Sequence, residues 1–296
     1  MKYTSLINAN RLLLILISFT FLTISNILAQ DSKDWYAIDS RMARNHNVCK
    51  KLQGNVLVYA IWVDTKSSRG WTNYDINTAT DSINRAINWI KDQAVKNNVN
   101  LNLCFDYLST DTGRTVEHNL PGTVSKVLAA EEGIEQLEKW GNRVVNKVYS
   151  DFKDKERLVA KLRDQYNVES VVLLYMLNNY YKDDCSISLN TMSNDYVEFA
   201  VTSFKEPALL AHEIFHIFGA ADLYYHHYST TKKDKTELKK LFPKDIMASP
   251  REYIKDLEID DITKYLIGWT EYIDPKYFQY FKEQKSDVRK GRDVVY

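Results

Sequence analysis

Hydrophobic residues follow two different periods along the chain and predict alternating strands and helices. Three apolar runs, at 55–64, 101–109 and 171–179, have the length of strands, and the first is rich in β-branched and aromatic residues. The segment after the first run is apolar on one helical face, at Ile83, Ala86, Ile87, Ile90 and Ala94. Because each helix must return the chain to the same sheet, this alternation predicts parallel strand pairing with right-handed crossovers.

Local signals predict where the helices begin and end. Thr78 and Asp81 have the spacing of a capping box, so the first helix is expected to start there. A second helical stretch covers about 125–166 and is expected to break near Gly141 or Asp151.

The second half of the chain predicts a strand followed by a buried helix. Residues 195–204 alternate in part and predict a short strand at the edge of the sheet. Pro207 then occupies a position that the first turn of a helix tolerates, and the segment PALLAHEIFHIFG is apolar on most sides. A further helix is predicted at 256–269. Together these elements predict an α/β (α+β) fold.

Composition and the N-terminus indicate a globular, exported protein. The chain has 45% hydrophobic residues, and its 39 basic and 39 acidic residues leave no cationic excess for binding nucleic acid. Residues 1–29 combine a positive start, an apolar run and a small residue at the end, which predicts a signal peptide and a secreted or periplasmic protein. A single membrane anchor is the alternative, whereas no stable membrane insertion is expected after cleavage.

The candidate chemistry lies in the segment HEIFHIFGAAD. His212 and His216 are four residues apart, so a helix projects both imidazoles from one face, where they can bind one zinc ion. Glu213 lies beside them, where a carboxylate can deprotonate a water on the metal. Gly219 permits a left-handed turn, after which Asp222 can return as third ligand. The alternative is a core helix with satisfied histidines, but three polar groups on so apolar a helix are costly without a partner.

This segment resembles HExxHxxGxxD, the zinc signature of the metzincin metalloproteases in its aspartate form, as in snapalysin-type and immune-inhibitor-A-type secreted bacterial proteases. Met247, in KDIMASP, is similar to the turn methionine that lies beneath the zinc in that family. The resemblance covers residues 212–247 by motif. It implies a secreted zinc endopeptidase in which Glu213 is the catalytic base and the metal ligands are His212, His216 and Asp222.

The resemblance also has implications for the fold. It implies a twisted mixed sheet with parallel strands and an antiparallel edge strand, packed on helices that include the zinc-binding helix. After the signal peptide, residues 30–218 would form the N-terminal catalytic subdomain. Residues 219–296 would form a smaller, mostly helical C-terminal subdomain, with the third ligand and the methionine turn. A polypeptide substrate would pair with the edge strand at 195–204.

The chain departs from the family pattern after the methionine. Several metzincins have a tyrosine two residues further on, but that position is Ser249 here. Three other tyrosines are therefore left open as groups that stabilise an oxyanion: Tyr224, Tyr225 and Tyr253. Two histidines in a polar loop compete with Asp222 as the third ligand: His226 and His227.

Cysteine content leaves two further hypotheses. Cys49, Cys104 and Cys185 in an oxidising compartment favour one disulfide and one remaining thiol, with the pairing open. Cys49 is also considered as a thiolate that covers the zinc in a latent form, against the alternative that it is buried or in a disulfide.

Two other functions remain alternatives to a protease. One is a zinc-containing secreted adhesion or binding protein on a protease-like fold, which the many aromatic residues would suit. The other is a zinc hydrolase of a non-peptide amide. Glu213 favours an enzyme over a binding protein, because a protein that only binds has no need of a base.

Overall fold

The computed structural model of the protein describes residues 49, 51–64, 70–108, 115–117, 131–149, 153–178, 186–190, 197–224, 232–280 and 294–295. Residues Asp39–Tyr296 belong to one compact unit, and the predicted signal peptide lies outside the described residues. Among the helices that the structure describes, none has the length and apolar character needed to cross a membrane.

A mixed sheet organises the described part of the chain. Its strands are β1 (Gly54–Asp64), β2 (Leu101–Tyr107), β3 (Thr115–Glu117), β4 (Ser170–Leu177), β5 (Ser186–Asn190), β6 (Phe199–Thr202) and β7 (Val294–Val295). They lie in the order β2-β1-β4-β6-β5-β7, and β3 also pairs with β1. The pairs β1–β2, β1–β3, β1–β4 and β4–β6 are parallel, whereas β5 is antiparallel to both β6 and β7. The predicted α/β fold and its parallel pairing are confirmed.

The described helices are α1 (Asn73–Lys96), α2 (Glu131–Val148), α3 (Lys155–Tyr166), α4 (Pro207–Ile217), α5 (Lys232–Leu241) and α6 (Asp261–Leu266), with 3-10 turns at Ile254–Asp256 and Pro275–Tyr280. The main core joins α1 and α4 to one face of the sheet, which Val58 and Leu174 share. Because side chains alternate along a strand, the neighbouring Tyr175 points to the other face, where its ring packs 5.2 Å from that of Trp140 in α2.

One strand prediction was wrong in its position. The segment at 195–204 contains β6, but β6 lies between β4 and β5 and is therefore an inner strand. The next strand beyond β6 is the antiparallel β5. Among the described strands, β7 pairs with β5 on its other side, at Leu189 and Asn190 only. The burial of all four residues of β6 agrees with an inner position.

The start of the first helix was also predicted wrongly. The capping box consists of Thr72 and Asp75, six residues earlier than the predicted pair. Thr78 lies inside α1, and its hydroxyl donates to the carbonyl of Tyr74. Both Thr-x-x-Asp pairs have the required spacing, so local sequence alone does not distinguish them.

Of the predictions about the remaining helices, one is confirmed and two need correction. The helical stretch breaks between Val148 and Lys155, a range that includes Asp151, and therefore at one of the two predicted places and not at Gly141. Gly141 lies within α2, where its carbonyl accepts a hydrogen bond from the Tyr175 hydroxyl. A Cβ atom at this position would lie 3.2 Å from the hydroxyl oxygen of Tyr175. The helix expected at 256–269 is reduced to the short α6, and the polar segment before it contains α5.

Candidate metal centre

The end of α4 turns the chain back towards the helix. Gly219 has a φ of +92°, as predicted, and the residue before it caps the helix. The Gly219 N–H donates to the His216 carbonyl at 2.9 Å, and the Ala220 N–H donates to the Phe215 carbonyl at 3.0 Å. These two bonds form a Schellman motif, which favours glycine at the left-handed position. Two residues later, the chain places Asp222 beside the C-terminal half of α4.

Three potential ligand atoms meet at this point. The Nε2 atoms of His212 and His216 are 2.9 Å apart, and Asp222 Oδ1 lies 3.2 and 3.3 Å from them. Ligands held about 2.0–2.1 Å from a tetrahedral ion are separated by about 3.3–3.4 Å. The structure therefore brings together the three predicted ligands at separations that fit a metal ion, with the two nitrogens slightly too close.

The outer hydrogen bonds of both rings orient them towards this point. His212 Nδ1 lies 3.2 Å from the carbonyl of Ile246, and His216 Nδ1 lies 2.8 Å from the carbonyl of Ala220. Because a carbonyl only accepts, each Nδ1 carries the proton and each Nε2 presents a lone pair to the centre. This arrangement is the usual outer support of metal-binding histidines.

One of the three potential ligand atoms, a carboxylate oxygen of Asp222, lacks a hydrogen bond within the described part of the chain. Asp222 Oδ1 is buried and has no hydrogen-bond partner of good geometry among the described residues. It faces two nitrogen lone pairs, and buried acceptors that face one another cost free energy unless a proton or a cation lies between them. The residues present therefore fit a bound metal ion.

Electrostatic interactions within the centre favour a positive charge there. Burial alone would raise the pKa of the Asp222 carboxyl, but attraction to His216 and His212 brings it well below the usual range. Burial lowers the pKa of His216, but the charge of Asp222 outweighs this and raises it. Both shifts favour a positive charge between Asp222 and the two rings, which a proton on His216 supplies in the metal-free protein and which a bound cation would replace.

Glu213 faces the same centre from the next position on α4. Its side chain is buried, and the Ser188 hydroxyl donates to Glu213 Oε2 at 2.6 Å. Ser188 is itself fully buried and belongs to β5, so a strand of the sheet fixes the orientation of the carboxylate. Sequence reasoning missed Ser188. Its only signal is the alternation of small polar and apolar residues in SISL, which shows a strand with one polar face but not what that face contacts.

The candidate ligands and Glu213 open into a cavity of about 370 Å³. Ser186 of β5 and Tyr224 line one part of its wall, and the segment 248–252 lines another. Ser186 Oγ has no hydrogen-bond partner among the described residues. The cavity therefore places a polar strand edge, a metal-binding donor set and a carboxylate within one pocket of the size of a ligand site.

The segment before this wall is held by a buried aspartate that sequence reasoning also missed. Asp245 accepts hydrogen bonds from the N–H groups of Met247 (2.7 Å) and Asp260 (2.6 Å) and from the Thr263 hydroxyl (3.0 Å). Burial raises the pKa of Asp245 to about 7, although these hydrogen bonds oppose the rise. The carbonyl of the adjacent Ile246 accepts a hydrogen bond from His212 Nδ1. Asp245 therefore supports a candidate ligand through the backbone.

Met247 lies in this segment, fully buried in the main core. Its carbonyl accepts a hydrogen bond from the N–H of Leu223 at 2.9 Å. That bond ties the methionine turn to the residue directly after Asp222. The structure thus connects the two motifs on which the sequence resemblance depends.

The three candidate tyrosines have different positions. Tyr224 lines the cavity, and its ring centroid lies 6.0 Å from that of His212. Burial and the charges of Asp222 and Glu213 raise its pKa, so its hydroxyl is protonated and can donate. Tyr253 is 59% exposed and does not line the cavity. Tyr225, like His226 and His227, lies outside the described residues.

The two cysteines that the structure describes do not line the cavity of the candidate centre. Cys49 and Cys104 are present as thiols, so the expected disulfide does not join them, and Cys185 lies outside the described residues. Cys49 is buried, and its Sγ lies 3.8 Å from the carbonyl of Val171 in β4. Burial and the charge of Glu198 raise its pKa, which disfavours a thiolate. Cys49 does not line the cavity, and the hypothesis that it covers the metal is not supported.

In comparisons with known proteins, no family model matches the chain, and no curated protein matches it. The resemblance to the metzincins therefore rests on the sequence motif alone.

Proposed function

We propose that the protein is a secreted zinc-dependent peptidase of metzincin type, with its active site in the cavity at the end of α4. The observation that carries this proposal is the convergence of His212, His216 and Asp222 beside a buried, hydrogen-bonded glutamate. Two histidines, one carboxylate and an open cavity leave room for a fourth ligand, as hydrolytic zinc sites require.

Zinc held there would supply Lewis-acid polarisation of the scissile carbonyl and make water a better nucleophile. Glu213 accepts the proton of the attacking water and passes it to the leaving amine, because among the described residues it is the buried carboxylate of the cavity that is not a candidate ligand. Ser188 holds Glu213 in one orientation through its hydroxyl. Tyr224 presents a protonated hydroxyl at the rim, where it can donate to the substrate.

The substrate binds as an extended polypeptide along β5 in this proposal, and not along the segment 195–204. β5 is antiparallel, contributes Ser186 to the cavity and contacts Glu213 through Ser188. Among the described strands, no partner covers the outer side of Ser186–Ser188, so its backbone groups are available for added-strand pairing.

Replacing Ser188 with alanine is expected to lower kcat about tenfold with little change in KM or zinc content. The lost hydrogen bond to a carboxylate contributes about 1.5–3 kcal/mol when it is made, and part of this orients the base. Steady-state kinetics on a fluorogenic peptide measures the effect. Ser188→Thr retains a hydroxyl and should recover most of the rate, whereas an equal loss in both variants would indicate a packing effect only.

Zinc analysis combined with cleavage of a peptide library tests the proposed function itself. The purified chain, without its signal peptide, is expected to contain one zinc per molecule and to cleave internal peptide bonds. A chelator should abolish cleavage, and added zinc should restore it. Bound zinc with no cleavage of any peptide would favour the adhesion or binding alternative instead.

A further inference from the structure

Two cationic side chains share the cavity with the candidate centre. Lys239 comes from the C-terminal half of α5, and Arg251 comes from the wall segment 248–252. Both residues are exposed, and neither has an ion-pair partner within the part of the chain that the structure describes. Neither residue takes part in the proposed metal binding or catalysis.

The charge balance of the cavity favours an anionic ligand. Among the described residues that line the wall, Glu252 is the one anion besides Asp222 and Glu213. A divalent metal ion would offset Asp222 and Glu213, so Lys239 and Arg251 would face one remaining carboxylate within this described lining.

Backbone hydrogen bonds hold Arg251 at this position. The N–H groups of Ala248 and Ser249 each donate to the Asp245 carbonyl at 2.9 Å, and the Glu252 N–H donates to the Ser249 carbonyl at 3.1 Å. The Ser249 hydroxyl in addition donates to the Pro243 carbonyl at 3.0 Å. The arginine therefore extends from a fixed turn, which reduces the entropy lost when it binds a ligand.

We propose that Lys239 and Arg251 form a carboxylate subsite of the active-site cavity, which selects polypeptides with a carboxylate close to the scissile bond. This inference rests on the proposed function and names its substrate class. The carboxylate comes either from an acidic side chain or from the free C-terminus of the peptide. Arginine pairs with a carboxylate through two parallel hydrogen bonds, whereas lysine contributes a point charge.

Matched peptides that differ only in charge test the subsite. Glutamate is compared with glutamine at each of the three positions on either side of the cleaved bond, and a free C-terminus is compared with a C-terminal amide. We expect kcat/KM to favour the carboxylate about 5- to 20-fold at one of these positions at low salt, and less at high salt. The responding position or terminus identifies the source of the carboxylate.

Charge reversal assigns the preference to the two residues. Arg251→Glu and Lys239→Glu are each expected to remove or invert the preference for the carboxylate, measured as the ratio of kcat/KM on the glutamate peptide to kcat/KM on the glutamine peptide. Lys240→Glu is the matched control, because Lys240 neighbours Lys239 on α5, is exposed and does not line the cavity. An equal effect in all three variants would reduce the inference to a general surface-charge effect and overturn it.

A binding measurement separates this inference from the proposed function. The zinc-loaded Glu213→Gln variant should bind the labelled glutamate peptide about 5- to 20-fold more tightly than the glutamine peptide in fluorescence anisotropy. Cleavage without any preference for charge overturns the subsite but leaves the peptidase proposal intact. If no peptide is cleaved, the peptidase proposal fails, and the anisotropy ratio still decides whether Lys239 and Arg251 select a carboxylate.

Discussion

Replacing Glu213 with glutamine is expected to abolish peptide hydrolysis while the protein keeps its zinc. Glutamine has the same shape and can still accept the hydrogen bond that Ser188 donates to Oε2. It cannot accept the proton of the attacking water, so the general-base contribution is lost. We expect kcat to fall by about 1000-fold or more, towards the upper end of what acid–base catalysis contributes.

The measurement compares kcat on one fluorogenic peptide with the zinc content of the same preparation. Glu271→Gln serves as a control for the loss of a carboxylate, because the Glu271 side chain is 93% exposed and lies outside the cavity. Retained hydrolysis in Glu213→Gln with an intact zinc content would contradict the assigned role of the base.

Replacing Asp222 with alanine is expected to weaken zinc binding by more than about 100-fold. The change removes the only charged member of the donor set, which is a larger loss than that of an outer supporting group, for which 10- to 100-fold is typical. In the metal-free protein the same change removes a carboxylate whose pKa is lowered in the folded state by attraction to His216 and His212, so the free energy of unfolding at neutral pH should fall.

Zinc competition with a chromophoric chelator measures the affinity, and thermal unfolding with and without zinc measures the stabilisation. At a zinc concentration about 100 times the wild-type Kd, the wild type gains about 2.7 kcal/mol from binding, and Asp222→Ala should lose most of this gain. Asp256→Ala, in the exposed 3-10 turn outside the cavity, should behave as the wild type. Unchanged affinity in Asp222→Ala would assign the third ligand to another residue.

The sequence predicts the parts of the structure that depend on local pattern. Long uninterrupted apolar runs mark β1 and β4, because strands that are buried on both faces lack a polar alternation. The His212–His216 spacing requires only a helix, and the Gly219 turn requires only a residue without a Cβ atom. The convergence at the candidate centre follows from these local rules.

The parts that the sequence does not predict depend on contacts between distant segments. β5 is five residues long, and its alternation indicates a strand with one polar face but not that this strand pairs with β6, so the sequence alone places the segment 195–204 at the edge. Ser188 meets Glu213 only because β5 lies against α4. Asp245 has an unremarkable sequence context, and its three donors come from its own turn and from the start of α6.

Zinc-edge anomalous diffraction from crystals of the zinc-loaded protein tests the three-ligand centre most directly. We expect one strong anomalous peak about 2.0–2.2 Å from His212 Nε2, His216 Nε2 and a carboxylate oxygen of Asp222. A peak that is coordinated by His226 or His227 in place of Asp222, or a zinc ion bound away from the cavity, would contradict it.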